Sequence, residues 1–287
     1  MFTGKTKNLG IVGYPVKHSL SPVLQNAALK AAGQDYVYVA LPVASDELHI
    51  AFMGLKAMGF RGFNLTIPHK EKILSFLDEI DETAKIIGAV NTVVFENGRS
   101  YGYNTDAIGF ISALQKGKIS LENKKVVLLG AGGAAHAVIW GLIKNKVKSI
   151  CIGVRNVKKA QLVADAFSKY TTIKIFDWTK EYFQKSLGNA DLLVNTTPMG
   201  MYPKIDEAPP VSWEYINKRT FVYDVIYTPR KTLFLQQAEA NGNLVLNGEG
   251  MLVGQGAAAF KLWTGVEPDM ELMTMKLREQ LERLQKE

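Results

Sequence analysis

With 287 residues, 47% of them hydrophobic and 21% charged, the chain is long enough for two cores and too ordinary in composition for a disordered, fibrous or repetitive protein. A net charge of +7 raises the question of nucleic acid, but Lys and Arg are mixed with acids, and the one dense cluster, Lys144 to Lys148, falls at a helix end where cations suit the dipole. The single cysteine, Cys151, excludes an internal disulfide framework and a cysteine-based zinc site, and the longest apolar run, Ala134 to Ile143, is too short to span a bilayer.

A strand-like run, Leu9 to Gly13, opens the chain with no apolar leader before it. These features together predict a soluble cytoplasmic protein with small anionic ligands and no metal, membrane or nucleic-acid partner; they do not choose between a monomer and a homodimer.

In chain order, Ser21-Pro22 opens a helix, with serine suited to the N-cap, proline to the first turn and Gly33 to the stop. Tyr36 to Ala40 reads as a strand, Asp46 to Met58 as a helix ending at Gly59, and Gly62 to Leu65 as a third strand. Asn97-Gly98, between Asn91 to Phe95 and Arg99 to Tyr103, predicts a tight hairpin. From Lys125 the rhythm becomes βαβ: strand Val126 to Leu129, helix Ala134 to Asn145, strand Ser149 to Val154, helix Val157 to Phe167. Ile173 to Phe176, Leu192 to Asn195 and Phe221 to Asp224 extend that sheet, and two helices follow, Leu252 to Trp263 and Asp269 to Gln285, the second with Leu277, Leu281 and Leu284 at helical spacing. The fold class is α/β: an N-terminal α/β domain, 1–104 with 250–287, and a doubly wound Rossmann-type domain, 105–249.

The strand Val126 to Leu129 feeds into Gly130-Ala131-Gly132-Gly133-Ala134-Ala135, a G-x-G-x-x-A pattern between a strand and a helix. Gly130 permits the tight turn, Gly132 lets main-chain N–H groups approach a pyrophosphate, and Ala135 lets helix and strand pack closely. The next strand ends Gly153-Val154-Arg155-Asn156, with no acid for a ribose 2′-hydroxyl and with Arg155 placed for a 2′-phosphate, so NADP is expected rather than NAD. Alone, Arg155 would read as a solvated cation.

Three polar segments stand where strands of the first domain end. Ser19-Leu20-Ser21-Pro22 offers hydroxyls beside a helix N-terminus, although Ser21 also serves as a cap; Asn64 to Lys70 sets a lysine in what reads as a first helical turn; Tyr101 to Asp106 supplies an acid that could equally be an N-cap. His69 reads as structural or cofactor-adjacent. Hydride added to a ketone creates an alkoxide that needs a cation and a proton, and a lysine supplies both. From the residues alone, Lys70 with Asp106 is one guess among several.

Taken together, these segments resemble the shikimate dehydrogenase family almost from end to end. The resemblance is carried by Ser19 to Pro22, Asn64 to Lys70, Gly88 to Thr92, Asn104 to Asp106, Gly130 to Ala135, Asn195 to Gly200 and Gly250 to Gln255. It implies NADP-dependent interconversion of 3-dehydroshikimate and shikimate in aromatic amino-acid biosynthesis. Ser19 and Ser21 would hold the substrate carboxylate; Thr66, Asn91, Asp106 and Gln255 would read its hydroxyls, with Asn64 and Tyr227 lining the pocket. Lys70 would act at the reacting carbon beside Asp106. Thr196 joins the glycine loop at the cofactor, Val225 and Gly248 lie near the nicotinamide, and the helices after Gly250 return to the first domain with Gln255. One departure stands out: where the family commonly has Asn-Arg-Thr, this chain has Val154-Arg155-Asn156. The alternatives are a quinate/shikimate dehydrogenase using NAD and a non-catalytic sensor of a shikimate-like ligand; a proton donor such as Lys70 would be superfluous in a sensor.

Overall fold

The computed structural model describes residues 2–284, which divide into two compact units: one runs to Gly109 and resumes at Leu252, the other spans Phe110–Met251. The first changeover therefore falls beyond 104/105. Asn104 Nδ2 donates to the Ala89 carbonyl at 2.9 Å and the Thr105 N–H donates to Asn91 Oδ1 at 2.8 Å, which keeps this segment and Asp106 with the first unit.

The first unit opens with β1 (Lys7–Gly13), α1 (Ser21–Ala31), β2 (Tyr36–Pro42), α2 (Leu48–Ala57) and β3 (Gly62–Leu65). A 3₁₀ stretch, Lys72–Phe76, leads to β4 (Glu79–Ile80) and α3 (Glu82–Ile87), and the hairpin β5 (Thr92–Glu96) and β6 (Arg99–Tyr103) runs into α4 (Asp106–Lys116). The sheet order is β2-β1-β3-β5-β6-β4; β1 is parallel to β2 and β3, and β5 is antiparallel to both β3 and β6. Strands β1, β3 and β6 thus finish at one edge, where β5 begins. At the hairpin, Asn97 and Gly98 both take left-handed φ values, 50° and 74°, as a two-residue turn between twisted strands requires. Val12, Phe52, Phe63, Leu65 and Val93 form the centre of this unit's core.

Two local expectations are corrected. The N-cap of α1 is Leu20 rather than Ser21, with no side-chain cap; Ser21 is the first helical residue, and its N–H donates to Ser19 Oγ at 3.3 Å. Lys70 is not in a helical turn either. The first helical stretch after Pro68 is the five-residue 3₁₀ segment that begins at Lys72, so Lys70 sits in the turn before it.

The second unit carries β7 (Lys125–Leu129), α5 (Gly133–Lys144), β8 (Ser149–Val154), α6 (Val157–Ala166), β9 (Ile173–Asp177), α7 (Glu181–Ser186), β10 (Leu192–Asn195), β11 (Phe221–Asp224), α8 (Leu233–Ala240) and β12 (Val245–Leu246). All six strands are parallel, in the order β12-β11-β10-β7-β8-β9. From β7 the strands are added first to one side and then, from β10, to the other, so the strand order reverses between β7 and β10, which is the topological switch point of a doubly wound Rossmann sheet. Val127, Leu129, Phe183, Leu193, Val222 and Phe234 pack its core.

The chain re-enters the first unit along α9 (Glu249–Thr264) and ends in α10 (Met270–Leu284). Trp263 Nε1 donates to the Val93 carbonyl at 2.9 Å. Its indole fits because residue 62 is glycine: a Cβ there would lie 2.4 Å from Nε1. Helix α10 packs on α1 and buries Met273, Leu277 and Leu281, whereas Leu284 is exposed and Gln285 lies outside the described residues. Among the described residues no helix is long and apolar enough to cross a membrane.

Candidate active site

In the first unit, the edge where β1, β3 and β6 end gathers the loops that carry the polar segments. Lys70 Nζ lies 2.5 Å from Asp106 Oδ2, with side-chain exposures of 27% and 10%. The other carboxylate oxygen accepts from Asn91 Nδ2 at 2.8 Å. Asp106 is therefore no ordinary N-cap: its oxygens are engaged by two side chains, and its own N–H donates to Asn104 Oδ1 at 3.1 Å.

Asn64, at the end of β3, is buried and donates to the Asn91 carbonyl at 3.1 Å. Thr66 follows it, half-buried, and presses on β1 so closely that a Cβ at Gly13 would lie 2.3 Å from its methyl. Ser21 is buried and Ser19 half-buried, so the two serines are presented together at the start of α1. Gln255 stands on α9, half-buried, its amide donating to the Leu252 carbonyl at 2.9 Å. The adjacent Gly256 carbonyl accepts from Gln25 Nε2 at 2.9 Å, which fixes α9 one helical turn along α1 from Ser21.

His69 is fully buried. Its Nε2 contacts the Val43 carbonyl at 2.8 Å and its Nδ1 has no hydrogen-bond partner among the described residues. Burial lowers its pKa, outweighing the Val43 carbonyl, and Lys72 adds to the lowering. Those contacts tie the strand carrying Asn64 to the loop after β2 and give His69 a structural place.

The second unit presents the dinucleotide elements at the switch point. Gly130 follows β7 with φ of +99°, and a Cβ on it would lie 2.6 Å from the Thr197 methyl. Gly132 and Gly133 have open space where a side chain would stand, and Ala131 and Ala134 flank them at the start of α5. Thr196 Oγ1 donates to the Leu129 carbonyl at 2.9 Å, closing the loop after β10 against the glycine turn. A main-chain cradle at a helix N-terminus, with no side chain in the way, fits a dinucleotide pyrophosphate. Arg155 is exposed just past β8, and Asn156 caps α6 by accepting from the Lys159 N–H at 2.9 Å.

Val225 and Gly248 meet directly: a Cβ on Gly248 would lie 2.0 Å from the Val225 carbonyl oxygen, and the Gly248 N–H donates to Ile226 at 2.9 Å. Tyr227 follows on the same loop of this unit, half-buried, and burial raises its pKa. The first unit thus brings Lys70, Asp106, Asn91 and Asn64 into hydrogen-bonded contact. In the second, Gly130 adjoins Thr196 and Val225 adjoins Gly248, with Tyr227 on the loop that follows Val225.

Sequence reasoning missed several buried polar groups. Tyr38 and Thr92 lie behind the Lys70 edge; Tyr38 is the one buried residue of β2, but the run Tyr36 to Pro42 has no alternation to single it out and nothing marks its hydroxyl as partnered. Asp224, at the end of β11, accepts from Thr232 Oγ1 at 2.6 Å, Ile226 N–H at 3.0 Å and Asn195 Nδ2 at 3.1 Å, yet burial still pushes its pKa up to about 6. An acid at the end of an apolar strand was the available signal.

Comparison with known proteins agrees along nearly the whole chain. Residues 11–93 match the shikimate dehydrogenase substrate binding domain, 112–201 the shikimate / quinate 5-dehydrogenase family, and 248–278 the shikimate 5′-dehydrogenase C-terminal domain. The shikimate dehydrogenase (NADP(+)) of Methanococcus aeolicus is 43% identical over 95% of this chain and 97% of its own. A crystal structure of a shikimate dehydrogenase in complex with NADP+ superposes with a TM-score of 0.92 at 42% identity, covering 98% of each chain. The quinate dehydrogenase of Corynebacterium glutamicum in complex with NAD gives 0.88 at 31% identity, covering 96% of this chain and 99% of its own. Coverage, identity and fold agree: the chain belongs to the shikimate dehydrogenase family.

Proposed function

We propose that the chain catalyses the reversible NADP-dependent interconversion of 3-dehydroshikimate and shikimate. The observation that carries the reading is the Lys70–Asp106 contact of 2.5 Å, with Asn91 holding the far carboxylate oxygen and Lys70 partly open to solvent. The cofactor, when bound, supplies or accepts the hydride. Lys70 places its ammonium at the oxygen on the reacting carbon, stabilises the negative charge that grows there and gives up a proton to it. Asp106 orients that ammonium and, with Asn91, Thr66 and Gln255, reads the ring hydroxyls. Ser19 and Ser21 hold the carboxylate, and Asn64 and Tyr227 line the pocket.

Gly130, Ala131, Gly132, Gly133 and Ala134 take the pyrophosphate, Arg155 the 2′-phosphate, and Thr196, Val225 and Gly248 the region of the nicotinamide. NADP is favoured over NAD because an exposed arginine, and no acid, follows β8. Shikimate is favoured over quinate by the higher identity to the NADP-dependent shikimate dehydrogenases. The cytoplasm, where a lone thiol such as Cys151 stays reduced, is its place of work.

Steady-state oxidation of shikimate and of quinate with each of NADP+ and NAD+ tests the proposal. Shikimate with NADP+ is expected to give the highest kcat/KM. A maximum for quinate with NAD+ replaces this reading with the quinate one, and no turnover in any of the four replaces it with a sensor.

A further inference from the structure

A line of hydrogen bonds runs inward from Asp106, and every donor in it points towards that carboxylate. Asp106 Oδ1 accepts from Asn91 Nδ2 at 2.8 Å, Asn91 Oδ1 from Thr92 Oγ1 at 2.9 Å, Thr92 Oγ1 from Asn64 Nδ2 at 2.9 Å, and Asn64 Oδ1 from the Tyr38 hydroxyl at 2.7 Å. Tyr38, Asn64, Thr92 and Asn91 are all buried, so each bond acts in a medium of low dielectric and polarises the next.

The two ends of the line set its direction. An ionised carboxylate only accepts, and a phenol has a single hydrogen to give. Burial holds the Tyr38 phenol well above its ordinary pKa, more than the Ser21 hydroxyl beside it lowers it, so that hydrogen is retained. An asparagine amide can sit either way round. At Asn64 the phenol selects the oxygen, which leaves the NH₂ to donate to Thr92 and to the Asn91 carbonyl.

Tyr38 is itself fixed from every side. Asn26 Oδ1 accepts from its N–H at 2.9 Å and Asn26 Nδ2 donates to its carbonyl at 2.8 Å, while its ring packs against Trp263 with centroids 5.9 Å apart. Phenylalanine would fill the same space without a polar group to satisfy. The hydroxyl therefore has a role beyond packing. We propose that Tyr38 is a positioning residue for the reaction: through Asn64, Thr92 and Asn91 its hydroxyl fixes how Asp106 is held, and through Asp106 where the Lys70 ammonium stands. This rests on the role given to Lys70 and Asp106 above.

The test uses Tyr38→Phe and Thr92→Val, each alone and combined with Asp106→Asn, with kcat and KM measured for shikimate oxidation at saturating NADP+ and Tm measured alongside. Tyr38→Phe is expected to lower kcat about fivefold to tenfold, the loss associated with one net hydrogen bond, at a temperature well below its Tm. Thr92→Val cuts the same line nearer Asp106 and should do at least as much, and it carries the test alone if the other variant does not fold. In the Asp106→Asn background both effects should vanish, because the line then has no carboxylate to hold. A purely structural role would lower Tm and leave kcat unchanged. Unchanged kcat in both single variants, or an equal loss with and without Asp106, overturns the inference. Wild-type kcat in Asp106→Asn alone is a different result: it overturns the reading beneath, and this inference with it.

Discussion

The two units build their sites from different material. In the second, the elements proposed for the cofactor are main chain: a glycine at φ +99°, two more glycines with open space before them, the N-terminus of α5, and a threonine closing on the Leu129 carbonyl. In the first, the elements proposed for the substrate are side chains tied to one another, Lys70 to Asp106, Asp106 to Asn91, Asn91 to Thr92 and Asn64. A main-chain cradle recognises what all dinucleotides share, whereas specificity for one ring needs fixed donors and acceptors. Substitutions should therefore separate the units: changes in the first act on turnover, changes in the second on the cofactor.

The largest effect is expected at Lys70. Lys70→Ala should lower kcat by about 10²-fold or more, in the range typical of general acid-base groups, with a much smaller change in the KM for shikimate. Equal activity in the variant would take Lys70 out of the chemistry and leave the first unit a binding site only.

At Arg155 the comparison sharpens. Losing a charge-assisted contact to the 2′-phosphate should weaken NADP binding by roughly tenfold to a hundredfold in Arg155→Ala, while NAD, which lacks that phosphate, hardly changes. The ratio of kcat/KM for the two cofactors, in wild type and variant, reads this directly. Lys158 and Lys159, exposed on the first turn of α6, soften the loss. If both cofactors weaken equally, Arg155 is not reading the phosphate.

Gly130→Ala tests the main-chain cradle. A left-handed φ strains any side chain, and the Cβ meets the Thr197 methyl, so the variant should lose about 1–3 kcal/mol of stability and raise the KM for NADP+. The KM for shikimate should stay near wild type at saturating cofactor. A parallel rise in both would show that the two sites do not divide as described.

The smallest effect belongs to His69. In an unfolded chain it titrates near 6.5; burial lowers that value in the fold, so protonation favours unfolding. Its contribution is fully present above about pH 6.5 and is lost as pH falls through the folded value. Comparing Tm at pH 7 and pH 5, the advantage of wild type over His69→Gln should narrow at the lower pH. A gap that stays constant means that His69 does not titrate in this range.

How much of this was legible in the sequence follows the same division. The strands Gly62–Leu65, Ser149–Val154, Leu192–Asn195 and Phe221–Asp224 are read to the residue because short apolar runs bounded by turn formers have few other solutions. The hairpin at Asn97-Gly98 and the turn at Gly130 announce themselves through their backbone demands. The 3₁₀ stretch Lys72–Phe76 and the strand Glu79–Ile80 are too short for periodicity to register, which is why Lys70 was expected in a helix and stands in a turn. Side-chain networks leave the weakest trace. Lys70 with Asp106 could be named through family resemblance, since the residues alone left it one guess among several. Tyr38, Thr92 and Asp224 each have a partner more than 20 residues away, and no local pattern reveals a hydrogen bond between residues 38 and 64.

The central claim is that Lys70 and Asp106 act as one device. Measuring kcat for shikimate oxidation in Lys70→Ala, Asp106→Asn and the double variant, at saturating NADP+ and with folding checked by Tm, tests it most directly. The account predicts a large loss in each single variant and a double variant little worse than the poorer of the two, because a carboxylate with no ammonium to hold contributes nothing further. Losses that multiply in the double variant, or a single variant as active as wild type, would contradict it.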